Sequence, residues 1–183
     1  MKASITVKIA AFIRDKDGKI IKRIRPRRAN SLLKQFIQML ASQFNGAAIA
    51  MLDTTDVSRA PGFNGAVQLI NAGANTTTYG IVVGTGETVV AMTDNKLVTQ
   101  VVTNIAHGVC SAVAENPAAE TWQVVISRTI TNNTGSLLSI KEVGLYAMDG
   151  NYNYKFCIDR TLYPVDLSNG AGITLSYTVA VTL

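Results

Sequence analysis

A chain of 183 residues with 48% hydrophobic content is long enough for one domain with a substantial core, and nothing in it requires two. Only 16% of residues are charged while Thr, Asn, Gly, Ala and Val abound, a composition suited to strands and turns more than helices. The net charge of +5 is unevenly spread: residues 1–34 carry eleven Lys or Arg against two Asp, a balance of +9 that leaves −4 for the rest, which favours docking on an acidic partner or head-to-tail contact between copies.

Lys2 and Lys8 interrupt the apolar residues at the amino terminus, so no signal-peptide core is present. No window approaches the roughly 18 uninterrupted apolar residues of a membrane span. The expectation is a soluble chain made without an export signal and without a membrane partner. Ile5, Val7, Ile9, Ala11 and Ile13 alternate with Ser4, Thr6, Lys8 and Ala10 in a first strand. Asp15-Lys16-Asp17-Gly18 closes a turn, Lys19 to Arg25 returns, and Pro26 is expected to end the return strand because proline cannot donate to a ladder. Lys22, Arg23, Arg25, Arg27 and Arg28 form a dense cationic cluster. It reads either as a contact for phosphate or another anionic partner, or as an edge strand whose charges block edge-to-edge aggregation. No aromatic residues interleave with it to stack on bases.

Asn30 or Ser31 can cap a helix carrying Leu33, Phe36, Ile37, Leu40 and Phe44 at helical spacing, with Asn45-Gly46 as its stop. This apolar stripe is expected to cover a sheet edge or end; docking into a partner is the sharper alternative. The basic hairpin and helix (4–44) are followed by a long contact loop (46–78), with at most a short strand from Val67 to Ile70 and an expected role in contacts with a neighbouring subunit. Tyr79 to Val83 reads as a buried strand. Gly84-Thr85-Gly86 reads as a tight turn, since no Gly-Lys-Ser/Thr follows as a phosphate loop demands. Thr93 to Leu97 looks like a cap and a single helical turn, followed by extended residues to Val102.

His107 is the lone histidine, and no second histidine or nearby cysteine pair is present to build a metal site or a histidine-based triad around it. Cys110 and Cys157 are too few and too far apart to imply a disulfide framework, and read as small core residues.

The stretch from Trp122 to Arg160 reads as a three-stranded meander with one wet face. Trp122, Val124, Ile126 and Ile130 share one face of its first strand, Asn132-Asn133-Thr134-Gly135 supplies a turn, and Asp149-Gly150 a hairpin. In the middle strand Leu138 and Ile140 share one face and Val143 and Leu145 the other. The phase slips beside Glu142, through a bulge or because Glu142 points inward and needs a cation. Arg128 and Arg160, one on each flanking strand, are the candidates for a core ion pair. After Pro164 and the turn region from Asp166 to Gly172, Ile173, Leu175, Tyr177, Val179, Val181 and Leu183 alternate with small or polar residues. Burying six such side chains is worth about 9–18 kcal/mol gross, at about 1.5–3 each. Together these patterns predict a mainly β fold, an antiparallel β-sandwich (jelly-roll-like) with one amphipathic α-helix near the N-terminus.

The succession YGIVVGTGE (79–87), TDNKL (93–97), ISRTITNNTG (126–135), IKEVGLY (140–146), DRTLYPV (159–165) and the terminal GITLSYTVAVTL resembles a group of small virion structural proteins of tailed bacteriophages and related viruses. The amino-terminal DKDGK and SLLKQFIQML resemble theirs too. The resemblance implies a non-enzymatic component of a virus particle, without cofactor or metal. It would be localised in the virion after synthesis in the host cytoplasm, present in many copies as a homo-oligomer, and bound to other virion proteins of the capsid, neck or tail. Two other classes remain: a nucleic-acid-binding module using Lys22 to Arg28, and a glycan-binding tail or fibre domain using Tyr152 and Tyr154 as stacking platforms, since EVGLY-like strands also occur in tail-fibre attachment domains.

Overall fold

The alternation from Ile5 to Ile13 builds β1 (Ser4–Arg14), and the Asp15 to Gly18 turn returns the chain as β2 (Ile20–Arg28). The Asp15 carboxylate accepts the Asp17 and Lys19 amides, and Gly18 takes a positive φ of 83° that costs glycine nothing. The structure, a computed structural model, describes residues 4–29, 32–61 and 69–182. The expected caps Asn30 and Ser31, the start of the Val67–Ile70 strand, and Leu183 lie outside the described residues.

Among those residues the chain is mainly β, with one helix, α1 (Lys34–Asn45). The remaining strands are β3 (Met51–Leu52), β4 (Ser58–Arg59), β5 (Gly80–Gly84), β6 (Ile105–His107), β7 (Ser111–Ala118), β8 (Thr121–Asn132), β9 (Leu138–Met148), β10 (Lys155–Leu167) and β11 (Gly172–Thr182). All described pairings are antiparallel. A six-stranded sheet runs β2-β1-β11-β8, with β6 and β7 sharing the far edge of β8; a second sheet runs β10-β9-β5, and β3 and β4 form a small hairpin.

Register sets the core. Residues paired across the large sheet point the same way, giving the rows Ile13–Ile173–Ile130, Ala11–Leu175–Arg128 and Ile9–Tyr177–Ile126. Their apolar members share one buried cluster with Ile81, Val83, Val143, Leu145 and Phe156 of the second sheet. The opposite face of the large sheet is a ladder of Thr and Ser, among them Thr178, Ser176, Thr174, Ser127 and Thr129, as an antiparallel sheet with one wet face requires.

Several expectations change in three dimensions. The Trp122–Arg160 stretch is not a meander. β8 is flanked by β11 on one side and by β6 and β7 on the other, so no edge remains for β9, which pairs with β10 and β5 instead. The Asn132 turn therefore carries the chain from one sheet to the other: the buried Asn132 amide donates to Ser136 O and Leu167 O while its oxygen accepts the Thr134 amide. Nor does β9 have a wet face, since Glu142 to Ala147 are all buried.

Pro26 does not end β2, because the register shifts between the Ile24 and Arg27 pairings, and a bulge on an edge strand needs no proline N–H. Pro164 sits likewise at a register shift inside β10. Of the six apolar residues expected to be buried along β11, Ile173, Leu175 and Tyr177 are, whereas Val179 is half-buried and Val181 exposed. Thr93 to Leu97 is no helical turn: the Asp94 amide donates to Ala91 O and the Asp94 carboxylate accepts the Ala91 amide.

The helix has also rotated from its expected face. The Leu33 amide is pinned to Ile158 O on β10, which turns Gln35, Met39 and Ser42 inward. Ile37 and Phe44 of the expected stripe are 56% and 84% exposed. Gly46 ends α1 in the left-handed conformation, as the Asn45-Gly46 signal predicts.

Parts of the 46–78 loop are held by the chain itself. Asp53 closes the β3–β4 hairpin by accepting the Thr55 and Val57 amides, and the Thr54 amide donates to Lys155 O.

Candidate functional site

The five expected anion-contact residues lie on β2, the edge strand, and all five are exposed. Register splits them. Arg23 and Arg28, paired with Phe12 and Lys8, share the polar face, whereas Lys22 and Arg27, paired with Ile13 and Ile9, share the core-side face. Arg27 is already engaged: its guanidinium lies 4.0 Å over the Tyr163 ring and donates to Leu162 O at 2.9 Å. A duplex or single strand would therefore meet three or four cations spread around an edge, not a groove.

The core ion pair forms between Glu142 and Arg160. Glu142 is fully buried, and its face of the second sheet is the one away from the shared core. Arg160 Nε donates to Oε2 at 2.7 Å, while the Gly86 and Thr99 amides donate to Oε1 at 3.1 and 3.0 Å and the Val98 amide to Oε2 at 3.3 Å. The rest of the Arg160 guanidinium binds Asp94 Oδ2 at 2.7 Å and Thr88 O at 3.0 Å. Burial opposes the Arg160 charge, yet the two carboxylates outweigh it and raise its pKa above the ordinary guanidinium value. One ion network thus fastens residues 85–99 to the sheet.

Glycine makes the room. A Cβ on Gly86 would lie 2.5 Å from Glu142 Oε1 and 2.6 Å from Val98 Cβ, and one on Gly84 2.5 Å from Thr99 O. Gly84-Thr85-Gly86 is thus neither a simple tight turn nor a phosphate loop but the wall of a carboxylate site.

Arg128 is not the partner of Glu142. Its side chain, 1% exposed, donates only to backbone carbonyls: Gly108 from Nε, Tyr79 and Ile81 from one terminal nitrogen, Gly73 and Thr76 from the other, at 2.6–3.1 Å. All five guanidinium N–H donors have an acceptor. Burial pulls its pKa below the ordinary value. The alternation Val124, Ile126, Arg128, Ile130 already placed this arginine on the core face. What sequence could not supply was five carbonyls drawn from residues 73–108.

Other polar groups in the interior serve packing. Burial pushes the Cys110 and Cys157 thiols up, and both are free. His107 is buried beside Arg128, and burial followed by that positive charge takes its pKa down to about 4. Among the described residues no cluster of His, Cys, Asp or Glu is placed to hold a metal ion, and no helix is long and apolar enough to cross a membrane. Tyr152 and Tyr154 stack on each other at 5.5 Å, and the Arg59 guanidinium lies 4.8 Å over the Tyr154 ring, so both rings already have partners within the chain.

The surface feature that sequence reasoning missed is an apolar overhang. Beyond the buried rows, the core-side face of the large sheet continues as Val7–Val179–Val124 and Ile5–Val181–Trp122, past the reach of the second sheet. Ile5, Trp122 and Val181 are 68%, 64% and 43% exposed. Beside Ile5 and Val7, the helix residues Phe36, Ile37 and Leu40 line a groove of about 370 Å³. Next to the overhang, β7 is exposed along its whole length, a strand that neither alternation nor turn signals announced. Compared with protein-family models, curated proteins and solved structures, the chain gives no match.

Proposed function

We propose that this chain is a non-enzymatic structural component of a tailed-phage virion, an accessory protein of the capsid or of the neck and tail that works through protein–protein contacts. The observation that carries the reading is the apolar overhang, which extends a core-side sheet face into solvent on a chain whose motif order resembles small virion proteins. Contiguous apolar surface rimmed by polar residues is characteristic of an interaction site. A loop fastened to the second sheet by the Glu142–Arg160–Asp94 network suits a structural part of a shell. Particles whose genome encodes the chain, banded on a density gradient, should contain it in many copies by quantitative peptide mass spectrometry. Its absence from banded particles would refute the proposal.

A second reading, nucleic-acid binding, draws on Lys22, Arg23, Arg25 and Arg28 exposed along the β2 edge. It requires affinity for duplex DNA that falls steeply with salt. Charge reversal at Arg25 and Arg28 that left the affinity unchanged would sink it.

A further inference from the structure

On the face of the second sheet away from the shared core lies a cleft of about 360 Å³. Its walls come from stretches distant in sequence: the β3–β4 turn, residues 77–78 ahead of β5, the loop 96–102, and Tyr146 and Lys155 of the β9–β10 pair. These walls are bonded to one another. The Thr54 amide donates to Lys155 O, Asn95 Nδ2 to Asp53 O at 2.6 Å, Gln100 Nε2 to Thr77 O at 2.6 Å, and the Leu97 amide to the Tyr146 hydroxyl at 2.5 Å. A cleft held in shape by its own bonds avoids the ordering cost of binding.

Those bonds leave a particular set of groups unused. Among the described residues, the hydroxyls of Thr54, Thr77 and Thr78, the Gln100 side-chain oxygen and the Lys155 ammonium have no partner within the chain. Lys96, the other cation of the cleft, is already paired with Asp56. The Tyr146 hydroxyl accepts the Leu97 amide, and burial raises its pKa above the ordinary tyrosine value, so it keeps a proton to donate.

The chemistry of these groups selects a ligand. A threonine hydroxyl both gives and takes hydrogen bonds, as a ligand hydroxyl does, so three of them beside a carboxamide oxygen suit a polyol. The threonine methyls, with Leu97 and Val102, supply apolar surface for the C–H face of a ring. One unneutralised, half-buried ammonium matches a single negative charge. A base finds no stacking platform, because Tyr146 is 2% exposed. Among the described residues that line the cleft there is neither an arginine fork nor a helix N-terminus of the kind that recognises phosphate.

We infer that this cleft binds a carboxylated sugar, with Lys155 on the carboxylate and the threonine hydroxyls and Gln100 on the ring hydroxyls. Its volume lies at the lower end of the roughly 300–1,000 Å³ of small-molecule sites, which suits one sugar unit at the end of an acidic glycan. The inference is independent of the virion reading: a chain absent from particles could still bind the sugar, and particle composition is measured separately.

The test is an NMR titration of the isotope-labelled full chain with the methyl glycosides of glucuronic, galacturonic and N-acetylneuraminic acids, set against methyl glucoside and glucose 6-phosphate. At least one acidic sugar should give saturable amide shifts centred on residues 77–78, 96–102 and Lys155, with a dissociation constant on the order of 1 mM. Methyl glucoside, which lacks the charge, should bind about 10-fold more weakly, and Lys155→Met should abolish that difference. Thr78→Val, at an exposed position, should weaken both kinds of sugar alike. Lys22→Met on the β2 edge removes the same charge elsewhere and should change nothing. Absence of saturable shifts with all three acidic sugars, acid binding that survives Lys155→Met, tighter binding of glucose 6-phosphate, or an equal loss on Lys22→Met overturns the inference.

Discussion

Glu142→Gln is the sharpest probe of the ion network. The substitution keeps the shape of the side chain but replaces one acceptor oxygen by an NH₂ donor. The carboxylate receives Arg160 and Val98 at Oε2, and Gly86 and Thr99 at Oε1. Whichever way the amide is turned, its NH₂ must face N–H donors from two of these groups, and Arg160 loses its buried counter-charge. Asp94, 24% exposed, remains as its one carboxylate partner. Removing one member of a buried pair costs about 3–5 kcal/mol, and a domain of this size loses about 2–4 °C of melting temperature per kcal/mol, so a fall of roughly 6–20 °C is expected. Lys141→Gln serves as the control, because the Lys141–Glu87 pair is exposed and worth about 0–1 kcal/mol. Differential scanning calorimetry at neutral pH measures both. A Glu142→Gln melting temperature no lower than that of Lys141→Gln would refute the account of Glu142 as the anchor of residues 85–99.

Gly86→Ala should destabilise by about 1–3 kcal/mol in urea titration, since its Cβ would collide with both Glu142 and Val98 in a packed site. Arg128→Lys keeps the charge but offers three donors to five carbonyls, so it should lower stability, and Arg128→Met, which leaves all five carbonyls unpaired, should lower it further. Asp159 accepts hydrogen bonds from Tyr177 and Thr161, yet burial raises its pKa to about 7; the folded state then holds a proton that the unfolded state releases near pH 4, and stability contributed by this group falls between pH 4 and 7. Asp159→Asn should remove that slope, at most about 1.4 kcal/mol per pH unit, and parallel pH profiles for the two proteins would contradict it. His107 acts oppositely: with a folded pKa of about 4 it stays neutral while the unfolded chain takes up a proton below pH 6.5, so its contribution is lost as pH falls from 6.5 to 4, and His107→Leu should flatten that limb.

Strand identity was legible in the sequence because it rests on period-two alternation, a property of single strands, and so was the slip beside Glu142, although alternation alone left a bulge and an inward carboxylate both open. Ile5 to Ile13, Tyr79 to Val83 and Ile173 to Tyr177 carry that alternation or an unbroken apolar run, and at the slip Leu138, Ile140, Val143 and Leu145 all join the shared core across the register shift between Leu162 and Val165, which leaves Glu142 buried on the other face. A carboxylate there requires a cation, and Arg160 on the neighbouring strand was a visible candidate. The Gly86, Val98 and Thr99 amides on Glu142, and Asp94 on Arg160, were not, because they reach the pair across more than forty residues of chain. Strand pairing was likewise hidden: β8 and β9 are adjacent in sequence and separated in space, because β11 and the strands β6 and β7 already occupy both edges of β8. The helix shows the same division. Its periodicity predicted a helix with an apolar stripe, but the bond from Leu33 to Ile158 set the rotation about its axis and left Ile37 and Phe44 facing solvent. Local patterns determine which residues can lie together on a face, whereas the choice of which face is covered depends on what else the chain brings to it, and that is decided by long-range contacts alone.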